Sequence, residues 1–337
     1  MLVRAAAYHF DQGRSGNFSE LKLSTHSLSA SSNLKVKLLT GLKMADQNGL
    51  ETKVSAALNC IDLSDPDIQK SAASLKQMRK SKNFLDGTFG HFQFFYFVIL
   101  TVKAHGEAYS LVGPETEDDL DPEKPLCGPN VWPSADVLPG WKETMLRYQQ
   151  EALNLGRKIG RIIALALDLD VDFFGKPEIL GNAMPYVSFN HYGVQDADPS
   201  KEYILGTPAH SDPSLITLLA TDEVPGLQIC RNIHANPRVW ENVVPLKDAF
   251  IVNIGDMLER MSNCVFRSTM HRVLFRQERY TIAYFVYPSN DAMIECFPTC
   301  KSEEKPPKYP PIKCKDLFNI IFKNVADGKT ARDITEA

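Results

Sequence analysis

Seven short apolar segments between residues 184 and 287 constrain the fold of this chain more than any other feature. Turn signals such as DP, PG and GD separate these segments, and most of them are rich in β-branched or aromatic residues. Segments of this length, bounded by turn residues, are typical of β-strands. So many short strands beside so few helices predict a sandwich or a jelly roll. The segments are MPYVSFNHY, LITLLA, GLQIC, VWENVV, AFIVNIG, HRVLF and TIAYFVY.

One long helix is predicted immediately before these strands. Pro139 suits the first turn of a helix, and apolar residues then recur at steps of three and four from Trp141 to Ala166. They form a single apolar stripe over about seven turns. The length of the stripe favours packing across the outside of the β-core over binding to a partner protein.

Composition narrows the functional classes. The chain has 337 residues, of which 44% are hydrophobic, so it can bury a large core, either as one β-domain with added helices or as two small domains. A net charge of −4 provides no basic surface for a nucleic acid. The longest apolar run, Phe92 to Val102, is shorter than the ~20 residues that cross a bilayer.

The cysteines indicate a reducing compartment. They number seven, are scattered, and include no CxxC pair. We therefore expect a cytoplasmic protein. As separate expectations, it is a monomer that acts on a small molecule and has no nucleic-acid or membrane partner.

Three side chains form a candidate metal site. In an extended strand, residues two apart point to the same side, so His210 and Asp212 would project an imidazole and a carboxylate from one face. A third ligand must come from elsewhere in the chain, and RSTMHRVLF offers His271 next to a strand-like run. Each residue alone has an ordinary structural interpretation, but their order, spacing and strand context together favour a site.

The ligand types suggest which metal this site would bind. Two imidazoles and one carboxylate on one side of an ion suit iron(II) and leave positions open, although zinc accepts a similar set. Farther along, Arg279 and Thr281 share a strand face and could grip the distal carboxylate of a diacid co-substrate. A simple zinc hydrolase has no use for such a pair, so the sequence favours iron.

These residues lie in phrases that resemble a known family. The phrases are HSD, TLLATDEVPGLQI, AFIVNIGDMLERMSN, FRSTMHRV and RYTIAYFVYPSND. They resemble the plant 2-oxoglutarate- and iron(II)-dependent dioxygenases related to isopenicillin N synthase, and the likeness extends from about Leu120 to Ile312. Within that family, the sequences of these segments are most similar to the hyoscyamine 6-hydroxylase-like branch, which includes homoarginine 6-hydroxylases.

The resemblance implies a fold, cofactors and residue roles. The expected fold is mostly β with flanking helices, built on a double-stranded β-helix (jelly-roll) core with a truncated N-terminal helical cap. Iron(II), 2-oxoglutarate and O2 would be the cofactors, with ascorbate as an accessory reductant, and the metal centre would be the whole of the catalytic machinery. The implied iron ligands are His210, Asp212 and His271, and the implied 2-oxoglutarate-binding residues are Arg279, Thr281, Tyr192 and Asn190.

The likeness also predicts how the chain is divided. Within the cap we expect a short strand at 56–63 and a helix at 65–78, and the run 92–102 stands where the family has a further strand. A closing helix is expected at 315–327. The parts are 1–43, a disordered extension; 44–135, a cap partly missing or replaced around 78–105; 136–180, a supporting helix; 181–292, the oxygenase core; and 293–337, a tail with a helix.

The substrate is predicted less directly than the reaction. The reaction implied is the hydroxylation of a small molecule, with arginine, homoarginine or another amine-containing metabolite as candidates. Glu107 and Tyr109 lie where the hyoscyamine 6-hydroxylase-like branch has a similar sequence motif. A carboxylate at this position could pair with a cationic substrate. Two alternatives are a catalytically silent relative that binds metal and 2-oxoglutarate, and an oxidase that uses the iron site without 2-oxoglutarate.

Overall fold

The computed structural model describes residues 35–39, 59–62, 67–80, 107–112, 130, 132–193, 203–232, 235–245 and 249–326. Within these residues the strands form a seven-stranded sheet, a four-stranded sheet and a two-stranded sheet, and α-helices pack against the seven-stranded one. The predicted architecture, mostly β with flanking helices, is confirmed.

The described residues contain thirteen strands and four α-helices. The strands are β1 Lys35–Leu39, β2 Asn59–Asp62, β3 Glu107–Val112, β4 Met184–Tyr192, β5 Ile204–His210, β6 Ile216–Thr221, β7 Leu227–Asn232, β8 Val239–Asn242, β9 Ala249–Ile254, β10 His271–Phe275, β11 Arg279–Tyr287, β12 Met293–Ile294 and β13 Ile312–Lys313. The α-helices are α1 Ile68–Lys80, α2 Trp141–Ala166, α3 Asp256–Met261 and α4 Cys314–Ala326.

The strands from β4 to β11 form a jelly roll. The larger sheet has the order β2-β1-β9-β6-β11-β4-β3, and the smaller one has the order β5-β10-β7-β8. The chain passes repeatedly from one sheet to the other, so neighbouring strands come from distant parts of the sequence. The seven segments predicted as strands coincide with β4, β6, β7, β8, β9, β10 and β11 to within two residues at either end.

Helix α2 covers the outer face of the larger sheet. The apolar stripe predicted for it is buried along its whole length. A Cβ added at Gly156 would lie 3.0 Å from Val286 Cγ2, so the helix and β11 are in very close contact. Because β11 is covered on both faces, it is buried almost throughout and lacks the polar alternation of a half-exposed strand.

The disordered extension predicted for residues 1–43 is wrong for Lys35–Leu39. These residues form β1, which pairs in parallel with β9 and antiparallel with β2. The segment KVKLL alternates charged and apolar residues, a pattern suited to a strand, but its serine-rich surroundings hide the signal. The remaining residues of that extension lie outside the described residues.

The cap region is described in part. The strand predicted at 56–63 is β2, and the helix predicted at 65–78 is α1, which begins three residues later than expected because Asp67 accepts a hydrogen bond from the Gln69 backbone N–H and so caps it. Residues 81–106, which include most of the segment predicted to be missing or replaced and the run 92–102, lie outside the described residues. In the parts that are described, no helix combines the length and apolar character needed to cross a membrane.

Two neighbouring residues of α2 test the packing of this helix. Met145 is 1% exposed, whereas Leu146 is 37% exposed. We expect Met145→Ala to lower the free energy of unfolding by about 2–5 kcal/mol, because it leaves a cavity in the core. Leu146→Ala should change it by about 0.5 kcal/mol or less. Chemical denaturation measures both, and equal losses would contradict the orientation of α2.

Candidate metal and co-substrate site

Two histidines face each other across a strand pair in the smaller sheet. His210 is the last residue of β5 and His271 is the first residue of β10, and the two are directly opposite in the antiparallel register. The centroids of their imidazole rings are 4.1 Å apart. The pairing of β5 with β10 therefore brings together two ligand candidates that lie far apart in the sequence.

Asp212 joins them, but not from a strand. The shared strand face predicted for His210 and Asp212 is wrong, since β5 ends at His210 and the chain turns immediately after it. The turn nevertheless directs the carboxylate to the histidines. Asp212 Oδ1 is 3.5 Å from His210 Nε2 and 3.7 Å from His271 Nε2. The predicted convergence is observed, and its cause is the turn.

Both histidines are held by the backbone two residues before them. His210 Nδ1 donates to the Pro208 carbonyl oxygen, and His271 Nδ1 donates to the Thr269 carbonyl oxygen, each at 2.9 Å. A carbonyl oxygen only accepts, so the proton of each ring resides on Nδ1. The lone pair of each Nε2 is thereby left facing Asp212, as metal binding requires.

The protonation states also suit a cation. Burial, with a contribution from His210, lowers the pKa of His271 to about 4, although Asp212 opposes the shift. Burial alone would raise the pKa of Asp212, but the facing histidines and a hydrogen bond from Thr217 bring it below its ordinary value. At neutral pH the site therefore offers a neutral imidazole at His271 and an ionised carboxylate, the forms that bind metal ions.

This donor set fits a divalent transition-metal ion. The three candidate ligand atoms, one from each side chain, lie within 4.8 Å of one another. These three side chains would hold an ion after a small closure. Two nitrogens and one oxygen gathered on one side of the ion suit iron(II) with open positions, and zinc is compatible with the same set.

The second oxygen of Asp212 is occupied by two donors. Thr217 Oγ1 donates to Asp212 Oδ2 at 2.6 Å, and Asn253 Nδ2 donates to the same oxygen at 2.9 Å. Neither residue is among those singled out from the sequence. The sequence does contain a signal for Asn253. Burying an amide side chain within the apolar strand AFIVNI costs free energy unless the amide is hydrogen-bonded.

Arg279 is a buried cation at another part of the same cavity. Its side chain is 2% exposed, and it donates from Nε to the Val224 carbonyl oxygen at 3.3 Å and from Nη2 to Thr221 Oγ1 at 3.2 Å. Burial lowers its pKa, although Tyr192 and Asp222 oppose the shift, and a guanidinium stays charged in proteins. Among the described residues no carboxylate lies within 4.0 Å of it. A buried cation of this kind favours an anionic ligand.

A glycine makes room for the arginine. A Cβ added at Gly226 would lie 3.1 Å from Arg279 Cδ and 3.2 Å from the Leu274 carbonyl oxygen. The guanidinium stem therefore lies against bare backbone, and a side chain at position 226 would displace it.

The other predicted co-substrate residues are neighbours of Arg279 in the larger sheet. The register of β4 with β11 pairs Arg279 with Tyr192, and Thr281 with Asn190. Asn190 Nδ2 donates to Thr281 Oγ1 at 3.2 Å, and the Arg279 guanidinium lies 5.3 Å from the centre of the Tyr192 ring. The four residues thus form one contiguous group.

One cavity between the two sheets contains both groups. It encloses about 540 Å³, including the part open to solvent, a size typical of ligand pockets. Apart from the polar residues already described and Thr207, its walls carry apolar side chains from strands of both sheets. Asp212 is the single acidic residue among its described lining residues. The apolar walls are Leu219, Leu227, Val273, Ala283 and Phe285.

Glu107 and Tyr109 are not brought to this cavity by any described contact. Both lie on β3 at the edge of the larger sheet, where the backbone register places them opposite His191 and Phe189. Their side chains lie outside the described residues. Their role in substrate binding stays a prediction.

Comparison with known proteins identifies relatives of the chain. Residues 185–288 match the family model of the 2OG-Fe(II) oxygenase superfamily. A protein of Citrus sinensis named kihadalactone A synthase LFS is 47% identical over 333 aligned positions, which cover 86% of this chain and 99% of the relative. Azadirone synthase LFS of Melia azedarach is 43% identical, with coverage of 80% and 93%.

The first alignment also contains positions that this chain lacks. Since 86% of 337 residues is about 290, about 40 of the 333 aligned positions are filled in the Citrus sinensis relative but not in this chain.

A solved structure is similar as well. The crystal structure of JOX2 in complex with 2OG, Fe and JA has a TM-score of 0.55 and 25% identity, and the likeness covers 79% of each chain.

Proposed function

The chain belongs to the 2OG-Fe(II) oxygenase superfamily and is a 2-oxoglutarate-dependent dioxygenase, and on this premise we propose that it oxidises an uncharged small molecule of the limonoid class. Iron would be held by His210, Asp212 and His271. One observation carries the proposal: two imidazoles and a carboxylate converge in the cavity that also contains a buried guanidinium, which has no carboxylate within 4.0 Å among the described residues.

Iron(II) and 2-oxoglutarate, when bound, supply the oxidising chemistry: O2 is reduced, 2-oxoglutarate is converted to succinate and CO2, and a C–H bond of the substrate is hydroxylated. The residues of the chain bind and orient. The Nδ1 hydrogen bonds to backbone carbonyls aim His210 and His271, and burial keeps His271 neutral. No side chain of this site has to act as a general acid or base.

Arg279 is proposed to bind the distal carboxylate of 2-oxoglutarate. A guanidinium fork matches a carboxylate with two parallel hydrogen bonds, and in a buried site such bonds are strong. Thr281 would add a hydroxyl donor from the same strand face, while Asn190 and Tyr192 support this pair from the neighbouring strand. The apolar walls of the cavity would exclude water from the reacting centre.

The choice of substrate class has two supports. The two plant relatives are named for kihadalactone A and azadirone and are limonoid synthases. In addition, the described lining residues provide no carboxylate other than the proposed metal ligand Asp212, so a cationic amine would have no counter-ion there. Arginine and homoarginine, which the sequence suggested, gain no support from the relatives, and neither does the hyoscyamine 6-hydroxylase-like branch.

Loss of His271 should abolish turnover. We expect His271→Ala to bind iron(II) at least about tenfold more weakly and to release no succinate above background, because one of three ligands is gone. His191→Gln is the matched control, since His191 lies on β4 with its side chain bonded to Glu278 and is not among the residues of the cavity. Full activity of His271→Ala would refute the proposed iron site.

Gly226→Ala tests the role of Arg279. The new methyl group must displace Arg279 by a few tenths of an ångström, so we expect the Kd for 2-oxoglutarate to rise about three- to tenfold, while the affinity for iron(II) stays unchanged. Anaerobic titration of the iron-loaded protein measures both constants. Gly175→Ala is the control, because nothing lies within 4 Å of its Cβ position. An unchanged Kd in Gly226→Ala would contradict the assignment of Arg279.

A substrate panel tests the substrate class. We expect limonoid-type compounds to stimulate succinate release from 2-oxoglutarate, and arginine and homoarginine to give none above the substrate-free background.

The difference of about 40 aligned positions is the observation that favours the alternative of a silent relative. That alternative predicts binding of iron and 2-oxoglutarate with no stimulation by any compound. Substrate oxidation without succinate would instead indicate an oxidase that works without 2-oxoglutarate.

A further inference from the structure

We propose that Thr217 and Asn253 are positioning residues that hold Asp212 so that a single carboxylate oxygen, Oδ1, faces the metal. The inference rests on the proposed function, because it assumes that His210, Asp212 and His271 bind iron. It goes further in assigning a specific task to two residues that do not themselves contact the metal.

The two donors are placed by the same strand pair. Thr217 lies on β6 and Asn253 lies on β9, and the two are directly opposite in the antiparallel register. Both side chains line the cavity and are 3% and 4% exposed. Cross-strand neighbours project to the same side of a sheet, so the larger sheet presents two hydrogen-bond donors at one point. Asp212 reaches that point from the turn after β5.

The two carboxylate oxygens of Asp212 have different partners. Oδ2 accepts from both Thr217 and Asn253, at 2.6 and 2.9 Å. A carboxylate oxygen has about two lone-pair positions, so both positions of Oδ2 are taken. Oδ1 is the oxygen that lies 3.5 and 3.7 Å from the two histidine Nε2 atoms.

Rotation of the carboxylate is therefore costly. To bring Oδ2 onto a metal ion, the side chain would have to break two buried hydrogen bonds, one of them short. The hydroxyl of Thr217 is itself within 3.1 Å of Ser214 Oγ, which can donate to it and keep its proton directed at Asp212. Without these donors, Asp212 could bind through both oxygens and occupy a position needed for 2-oxoglutarate or O2.

Isosteric variants separate positioning from simple packing. Thr217→Val and Asn253→Leu remove the donors with little change in shape, and Thr217→Ser keeps the hydroxyl. The full-length proteins would be freed of metal, titrated anaerobically with iron(II), and loaded with cobalt(II), whose visible absorption spectrum reports the number of ligands. Thr207→Val is the matched control, because its hydroxyl lies in the same cavity but is 3.2 Å from Tyr192 Oη instead of being bonded to Asp212.

We expect Thr217→Val and Asn253→Leu each to weaken iron(II) binding about tenfold or more, as loss of a hydrogen bond to a metal ligand typically does. Their cobalt(II) spectra should change, whereas Thr217→Ser and Thr207→Val should match the unsubstituted protein in affinity and spectrum. If one substitution prevents folding, the other tests the same carboxylate oxygen.

Three results would overturn the inference. Unchanged iron affinity and an unchanged cobalt(II) spectrum in both donor variants would refute it while leaving the proposed function intact. Weaker binding with an unchanged spectrum, matched by an equal loss in Thr207→Val, would reduce Thr217 and Asn253 to packing residues. If the unsubstituted protein bound neither ion, the proposed function itself would fail, and the inference with it.

Discussion

The antiparallel pairing of β5 with β10 is the contact on which the site depends. It sets His210 opposite His271 and thereby fixes two imidazoles at the rim of the smaller sheet. The turn that follows β5 then brings in Asp212, and the larger sheet provides the donors that hold it. A slip of one residue in this pairing would turn one of the histidines to the opposite face of the sheet. The jelly roll keeps the register because both strands have one face toward the cavity.

The two charged parts of the cavity are stabilised in opposite ways. Asp212 is an anion whose oxygens are met by neutral donors and by imidazole nitrogens, so it is prepared for a cation. Arg279 is a cation held by a carbonyl oxygen and a hydroxyl, which leaves it prepared for an anion. Both charges are buried, where hydrogen bonds alone compensate incompletely for lost hydration. Ligand binding would complete the balance at both places.

The sequence predicts the strands and most of the polar residues of the cavity because their signals are local. Apolar runs between turn residues locate seven of the eight jelly-roll strands, and Arg279 and Thr281 share a face because β11 is regular. Asp212 is placed correctly for a wrong reason, since the predicted strand extends to it, although β5 ends at His210 and Asp212 itself begins a DP turn signal. The roles of Thr217 and Asn253 depend on the pairing of β6 with β9, which cannot be derived from either segment alone. Helix α3 is missed because six residues are too few to show a helical period.

The apolar side chains that line the cavity are held by packing, whereas its polar side chains are held by hydrogen bonds. Leu219, Leu227, Val273, Ala283 and Phe285 contribute bulk, whereas the polar residues are tied to backbone atoms or to one another. Exchanging one apolar side chain for another of different volume alters the shape of the chamber without disturbing those bonds. Divergence among proteins built on this scaffold can therefore proceed by resizing the walls, so that the oxidising centre is inherited unchanged while the molecule it acts on is replaced.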